Sequence, residues 1–254
     1  MVTWIIERDI FSEECVTAMV RHFETNAIPF HMIQLTSLNE IDGRVPHIDD
    51  QVVCYGSIGI DTVARAHGWN PGTFTSDLFN YLEYRDRLGG LFLNPYCIGL
   101  KMSEVSYYFR ETVVDFFIKP NGDFKEFSGI LLNTTNFDDW YKKMLDIGYL
   151  SVDNDLDVII SAPKEIGAEF RFAVVDGKIV GHCCYKGSTP INPDVWSCVE
   201  QAIAMFSPAP VFMVDVAETP YGPKIIEYNT FNTASMYSMN VGSVIDGVNA
   251  YLRK

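Results

Sequence analysis

Three polar residues interrupt the stretch 211-VFMVDVAETPYGPKIIEYNTFN-232, whose two halves are otherwise strongly apolar: Asp215 in the first run, Glu227 and Asn229 in the second. Glu227 and Asn229 are two apart, so alternation places them on one face of a strand. The link from Glu218 to Pro223 carries Pro220, Gly222 and Pro223, which predicts an antiparallel return. That return brings Asp215 within about one register step of Glu227. Two carboxylates and an amide oxygen form a hard-oxygen site suited to Mg²⁺, with Mn²⁺ as the alternative occupant, and such a site in an enzyme commonly also holds substrate phosphates. A slip of one residue would turn Asp215 to the opposite face, so the metal reading requires one specific register. Burying such carboxylates is costly unless a cation or hydrogen bonds compensate.

The chain has 19 Lys and Arg against 33 Asp and Glu, a formal net charge of −14. A protein this acidic must concentrate its few cations locally if it handles a phosphate. Lys119 ends the apolar strand VVDFFIKP, just before the polar loop 121-NGDFKEFSG-129 with Gly122, Ser128 and Gly129. A lysine there can meet a phosphate as a point charge while the loop folds over it, or it can simply end a strand in solvent. The loop has too few glycines for a P-loop, and no Walker motif occurs. Further on, 168-AEFRFAVVDGKIVGHCCYKG-187 contains Asp176-Gly177 between β-rich runs, a strong two-residue hairpin signal. That turn pairs Val175 with Lys178, Arg171 with His182 and Glu169 with Cys184. Glu169, Arg171, His182, Cys184 and Lys186 then share one face. Phe170, Phe172, Val174, Ile179, Cys183 and Tyr185 form the opposite, core-facing one. The polar face is either a site or the wet side of an antiparallel sheet. The five histidines show no paired metal-ligand spacing, and there is no Gly-x-Ser-x-Gly nucleophile motif.

The elements that must position these residues begin with an α/β unit. Thr3–Ile6, Pro29–Leu35 and Gln51–Tyr55 read as strands, and Ser12 opens an amphipathic helix with Cys15, Met19 and Phe23 on one stripe. Strand, helix, strand at this spacing predicts a parallel sheet. The turn Gly56-Ser57-Ile58-Gly59 leads into a helix from about Asp61 to Ala66, and is either an anion cradle or an ordinary tight turn. A helical segment FNYLEYRDRL follows, then the weaker strand-like LFLN and IGLK. Asp138 and Asp139 open a helix that stops at Gly148, Asp157–Ser161 (DVIIS) is a strand, and helices cover Asp194–Phe206 and Ser243–Leu252. The expected organisation is an N-terminal α/β domain over residues 1–100 and an α+β domain over 101–254. The latter divides into a small lobe at 101–163 and a C-terminal lobe at 164–254. With 48% hydrophobic and 20% charged residues, the 254-residue chain has the composition of a soluble globular protein. The negative charge argues against a nucleic-acid partner. No apolar run approaches the ~20 residues of a membrane span. No signal-peptide pattern is evident, and the six cysteines lack zinc-site spacing, so a cytoplasmic protein with reduced thiols is expected.

Taken in order, FFIKP, a flexible loop, a helix, DVIIS, EFRFAVVDGKIV and VDVAETPYGPKIIEYN resemble the ATP-grasp superfamily in its compact bacterial and phage form. The resemblance spans essentially the whole chain, and the N-terminal part is similar to the small Rossmann-like domain that precedes the ATP-grasp fold in that family. It implies that ATP lies between two α+β lobes, its adenine against the linker strand at Ile160, Ser161 and Ala162. Lys119 and Ser128 would contact phosphate, Lys164 or Glu165 would lie near adenine or ribose, and Glu169 would help hold the nucleotide. Arg171 and Lys186 would face the phosphates or an acyl-phosphate, and Asp215, Glu227 and Asn229 would hold Mg²⁺. The implied activity is an ATP- and Mg²⁺-dependent ligase that activates a carboxylate as an acyl-phosphate and joins it to an amine or similar nucleophile. The carboxylate and amine would be small molecules or peptides, and the acidic chain favours a cationic amine. A kinase-like phosphotransferase and a non-catalytic ATP-binding module are the alternatives on the same fold. The chain departs from the family pattern in lacking a glycine run in the phosphate loop. Lys164 and Lys186 both compete for the place of the second nucleotide lysine.

Overall fold

The computed structural model describes residues 1–146, 156–188 and 190–254. The predicted parallel sheet comes first in the chain. Strands β1 (Val2–Glu7), β2 (Phe30–Ile33), β3 (Gln51–Tyr55) and β4 (Pro71–Gly72) pair in the order β2-β1-β3-β4. Every pairing within it is parallel. Helix α1 (Glu13–Thr25) is capped by Ser12, whose side chain accepts from the Cys15 amide, and it buries the predicted stripe of Cys15, Met19 and Phe23. Helix α2 (Gly59–Ala66) follows the glycine turn. That turn is not an open anion cradle. The Gly56 N–H donates to the Asn232 carbonyl and the Ser57 N–H to Glu7 Oε2 at 2.6 Å, so the chain's own groups use two of the turn's donors and a carboxylate of the chain already sits against it. Helix α3 (Tyr81–Leu88) is capped by Asn80.

A second sheet contains β5 (Ile98–Lys101), β6 (Asp115–Pro120), β7 (Ile130–Asn133) and β8 (Asp157–Ser161), all antiparallel, in the order β5-β8-β6-β7. LFLN does not become a strand. A 3-10 turn covers Gly89–Leu91, and Phe92 makes a single bridge to Ile225. Helices α4 (Val105–Tyr108) and α5 (Phe137–Asp146) pack on this sheet through Val105 and Phe137. The predicted helix end at Gly148 lies outside the described residues.

The third sheet carries most of the polar candidates. Strands β9 (Glu169–Val175), β10 (Lys178–Lys186), β11 (Val211–Ala217) and β12 (Lys224–Thr230) run antiparallel in the order β10-β9-β11-β12. Every residue of β9 and β11 is buried, because the sheet is covered on both sides. Ala173, Val175, Val211 and Met213 face a core shared with Trp4, Phe23 and helix α7 (Val241–Leu252). Phe170, Phe172, Val174, Phe212 and Val214 face the opposite core, shared with α3 and helix α6 (Pro193–Met205). Asn232 ties the first sheet to the end of β12: its Oδ1 accepts from the Phe74 amide at 2.7 Å and its Nδ2 donates to the Cys54 carbonyl. Trp4 Nε1 adds a buried bond of 3.0 Å to Asn249 of α7. Among the described residues no helix is long and apolar enough to cross a membrane.

Two registers decide what faces the site. Asp215 lies directly opposite Glu227, and Met213 opposite Asn229, so Asp215, Glu227 and Asn229 share a face. An irregularity after Asp215 then pairs Val216 with Ile225, leaving Ile226 as the extra residue. The β9–β10 hairpin has the expected Asp176-Gly177 turn, with φ of 49° and 72° as a two-residue primed turn requires. Beyond it the expected pairing fails. Val180 is an extra residue, so Gly181 faces Ala173, His182 faces Phe172 and Cys183 faces Arg171. A one-residue shift exchanges the two faces. His182 therefore leaves the polar face and packs against Phe172 and Trp196. Cys184 leaves as well, opposite Phe170, while Tyr185 joins Arg171. A second irregularity after Cys184 returns Lys186 to a place opposite Glu169.

Candidate nucleotide and metal site

Strand β9 runs beside β11 with Arg171 opposite Asp215. The Arg171 guanidinium grips that carboxylate with two parallel bonds, Nε to Oδ1 and Nη2 to Oδ2, both 2.7 Å, and its Nη1 donates to the Ser235 carbonyl at 3.0 Å. This fork is the strong, oriented form of an ion pair. Its side chains are only 8% and 2% exposed. Tyr185 and Tyr237 stack with centroids 5.1 Å apart, and the guanidinium carbon is 5.5 and 5.0 Å from the two rings.

Next to this pair, Lys119 at the end of β6 donates its ammonium to Glu227 Oε2 and to the Tyr81 hydroxyl, which itself donates to Glu227. Tyr81 opens α3, so the N-terminal half of the chain reaches directly into the cluster. Asn229 Nδ2 bridges the two acids, 3.2 Å from Asp215 Oδ2 and 3.2 Å from Glu227 Oε1. Burial pushes the Asp215 carboxyl up to about 6, against the pull of Arg171 and with the Glu227 charge adding to the rise. Burial alone would also raise Glu227, but Lys119, Tyr81 and Arg171 outweigh it and hold that carboxyl down at about 2. Two carboxylates in one site are thus driven apart by their different partners.

Two cavities meet here. One of about 500 Å³ is lined by Lys119, Lys125, Ser128, Arg171, Glu227 and Asn229 among others. The other, about 720 Å³, shares Lys119, Gly129 and Glu227 with it and extends over Phe117, Leu93, Ile130, Ile226 and Ala162. An apolar slot continuous with a charged end is the shape and chemistry that accept a planar base and its phosphates.

A sequence model describing an ATP-grasp domain, the third family of its clade, matches residues 47–247. The chain belongs to this ATP-grasp family. Its fold is similar to D-cycloserine synthetase DcsG (11% identity, TM-score 0.63, covering 100% of this chain and 99% of that one). It is also similar to D-alanine–D-alanine ligase from Bacillus anthracis (13%, TM-score 0.58, 100% and 99%). A third similar structure is the ATP-grasp ligase PsnB complexed with a phosphomimetic variant of its minimal precursor, Mg and ADP (12%, TM-score 0.55, 99% and 98%). No curated protein matches the sequence.

Within this ATP-grasp chain the structure gathers Lys119, Arg171, Asp215, Glu227 and Asn229 into one hydrogen-bonded cluster. Ser128 is exposed at the rim of the smaller cavity. Glu169, Ala162, Lys164 and Lys186 line the larger one. Lys186 donates to Glu169 Oε1, and Tyr185 donates to Glu169 Oε2 at 2.8 Å. Lys164 is exposed and donates to the Ala162 carbonyl at 3.3 Å. Three predicted nucleotide residues line neither cavity. The Ile160 side chain alternates into the core of the second sheet beside Ile118 and Val158. Ser161 donates its hydroxyl to Asn94 Oδ1 at 3.1 Å, and Glu165 is exposed.

Sequence reasoning misses Tyr81, Lys125, Tyr185 and Tyr237. It places Tyr185 in the core because the Val180 bulge leaves no compositional mark. Tyr237 carries a signal in structure, a φ of 46° in a bulky residue, but none in sequence. Among the described residues no three His, Cys, Asp or Glu side chains form a metal cluster by themselves. A cation here would rely on Asp215, Glu227, the Asn229 amide and nucleotide oxygens, a donor set that fits Mg²⁺.

Proposed function

We propose that this ATP-grasp protein is an ATP- and Mg²⁺-dependent ligase that activates a carboxylate as an acyl-phosphate and joins it to an amine or similar nucleophile. The observation that carries this reading is the convergence of Lys119, Arg171, Asp215, Glu227 and Asn229 from four strands, where an apolar slot opens into a charged cavity. The N-terminal domain is residues 1–100 and the ATP-grasp domain 101–254, with the nucleotide between lobes 101–163 and 164–254. The adenine enters the larger cavity between Phe117 and Ile226, with Ala162 and Lys164 at its edge. Lys119 neutralises phosphate charge, and Glu169 holds Lys186 toward the same side. Asp215, Glu227 and Asn229 would hold Mg²⁺, which would supply neutralisation of phosphate charge.

An oxygen of the substrate carboxylate attacks the γ-phosphorus. The bond to the β-bridging oxygen breaks, and its electron pair leaves on ADP. The amine then attacks the acyl carbon, inorganic phosphate leaves with the bonding pair, and the nitrogen gives up its proton to solvent. The protein's part in such transfers is positioning and electrostatic neutralisation. Arg171 cannot act freely, since its three nitrogens are committed to Asp215 and Ser235. Its role is to fix the direction of the Asp215 carboxylate. The substrate class follows the structurally similar proteins, whose names specify small amino-acid-like products and a precursor peptide.

The test is product analysis with ATP, Mg²⁺ and panels of small and peptidyl acids and amines. The expected outcome is ADP and phosphate released in equal amounts with a condensed product. A stable phosphorylated product without condensation would instead identify a kinase.

A further inference from the structure

The two cavities share Lys119, Gly129 and Glu227, which mark the place where the apolar slot meets the charged site. Ile10, Phe11 and Tyr237 line the smaller cavity and not the larger. They lie on the side away from the slot. A nucleotide whose base fills the slot therefore leaves that side to the group its phosphates react with. The chemistry there differs from the rest of the cavity. Its charged lining residues come from β6, β9, β12 and the loop 121–129. Among the described residues, the domain of the first sheet contributes only Ile10 and Phe11.

This apolar wall is held in place by the fold. Ile10 and Phe11 follow the C-terminal end of β1, beside the switch point where the sheet order β2-β1-β3-β4 reverses direction, the edge of a parallel sheet that receives ligands. Asp9, with a φ of 61°, turns the chain out of the strand. Phe11 then stacks on Tyr55 with centroids 4.2 Å apart, and the Tyr55 hydroxyl donates to the Ala234 carbonyl at 2.7 Å. That bond ties the wall to the segment carrying Tyr237, whose amide donates to Ser235 Oγ at 3.1 Å and whose φ is 46°. A left-handed backbone is costly for residues with a side chain, and such strain collects at ligand sites. Even so, Ile10 is 42% and Tyr237 45% exposed. Apolar surface that the chain positions and then leaves uncovered suits an apolar group of a ligand.

We propose that the carboxylate substrate is an acid with an aliphatic or aromatic side group, seated against Ile10, Phe11 and Tyr237 with its carboxylate turned toward the phosphates. This rests on the ligase reading of the site and adds to it the class of acid and the residues that select it. The N-terminal domain then has a task in recognition, because two of the three selecting side chains come from its first strand's exit loop.

The experiment traps the acyl-phosphate with hydroxylamine, using the whole protein with ATP and Mg²⁺. The hydroxylamine nitrogen attacks the acyl carbon, phosphate leaves with the bonding pair, and the hydroxamate is measured. The probes are N-acetyl amino acids with methyl, isobutyl, benzyl, carboxymethyl and aminobutyl side groups. The isobutyl and benzyl acids should exceed the two charged ones by about tenfold or more in kcat/KM. Ile10→Ser and Tyr237→Asn should each raise KM for the preferred acid about tenfold, with KM for ATP unchanged within about twofold. Asn tolerates the left-handed backbone at 237, so that variant removes the ring and keeps the turn. Tyr237→Phe should keep the preference. An unchanged KM for ATP also shows that a variant is folded, and the order of acids in the unaltered protein tests the proposal without any variant. A preference for charged acids, or an unaltered preference in both Ile10→Ser and Tyr237→Asn, overturns the assignment and leaves the ligase reading standing. If no acid yields a hydroxamate, the ligase reading itself fails and takes the assignment with it.

Discussion

The face of β11 and β12 and the loop 121–129 lie against each other, yet they are held by opposite means. On the strand face, Asp215 is buried and Glu227 half-buried, and each already has a cationic partner, Arg171 and Lys119. On the loop, the fastenings are single hydrogen bonds: Asp123 to the Thr230 amide, Lys125 to the Thr233 carbonyl, Asn121 to α3. Buried charges that lose a partner are expensive, so the strand face is a rigid, pre-oriented set of oxygens. A single hydrogen bond contributes only about 0.5–1.5 kcal/mol net and costs little to exchange for another partner. A nucleotide site needs both, a fixed place for the cation and a loop that can trade its contacts for phosphate.

Arg171→Ala should break this comparison most severely. It leaves Asp215 buried beside Glu227 with no counter-charge, and the expected destabilisation is about 3–5 kcal/mol, read as a lower urea midpoint. An unchanged midpoint would mean that the strand face is not held by its ion pair. Tyr81→Phe keeps the ring against the Lys119 ammonium, 4.1 Å from its centroid, but removes the hydroxyl that donates to Glu227. If Glu227 is a metal ligand as proposed, that hydroxyl orients it from outside, and Mg²⁺ affinity in the nucleotide complex should fall about tenfold while folding is nearly unaffected. Titration of Mg²⁺ at fixed ATP analogue gives the answer, and equal affinity in the variant would remove Tyr81 from the site. Asp123→Asn should have the smallest effect, about 1 kcal/mol or less. Its signature is faster hydrogen exchange at the Thr230 amide and through the loop, with Mg²⁺ affinity unchanged. Unaltered exchange would show that the loop is fastened elsewhere.

The two regions also differ in how much of them is readable from sequence. Asp215, Glu227 and Asn229 stand out because acids and amides are rare in apolar strands, and period-two alternation joins the last two at once. Their register with Asp215 is not readable, since it depends on where Ile226 is inserted as the extra residue. The same physics hides Tyr185: the Val180 bulge exchanges faces through packing of Gly181, where an added Cβ would meet Val244 at 2.6 Å, and no local composition encodes that. The parallel sheet and both hairpins follow from apolar periodicity and turn residues. Tyr81 is invisible for a different reason. Its partner Glu227 is 146 positions away, and an aromatic residue opening a helix reads as ordinary core. Ile160 differs again: the linker strand is recognisable, but alternation turns that side chain into the core beneath it, leaving only its backbone to face a ligand.

The most direct measurement is a co-crystal structure with a non-hydrolysable ATP analogue and Mg²⁺. The base is expected in the larger cavity between Phe117 and Ile226, with phosphates at Lys119 and the cation among Asp215, Glu227 and Asn229. A nucleotide bound away from Lys119, or a cation held by residues other than these three, would contradict the account.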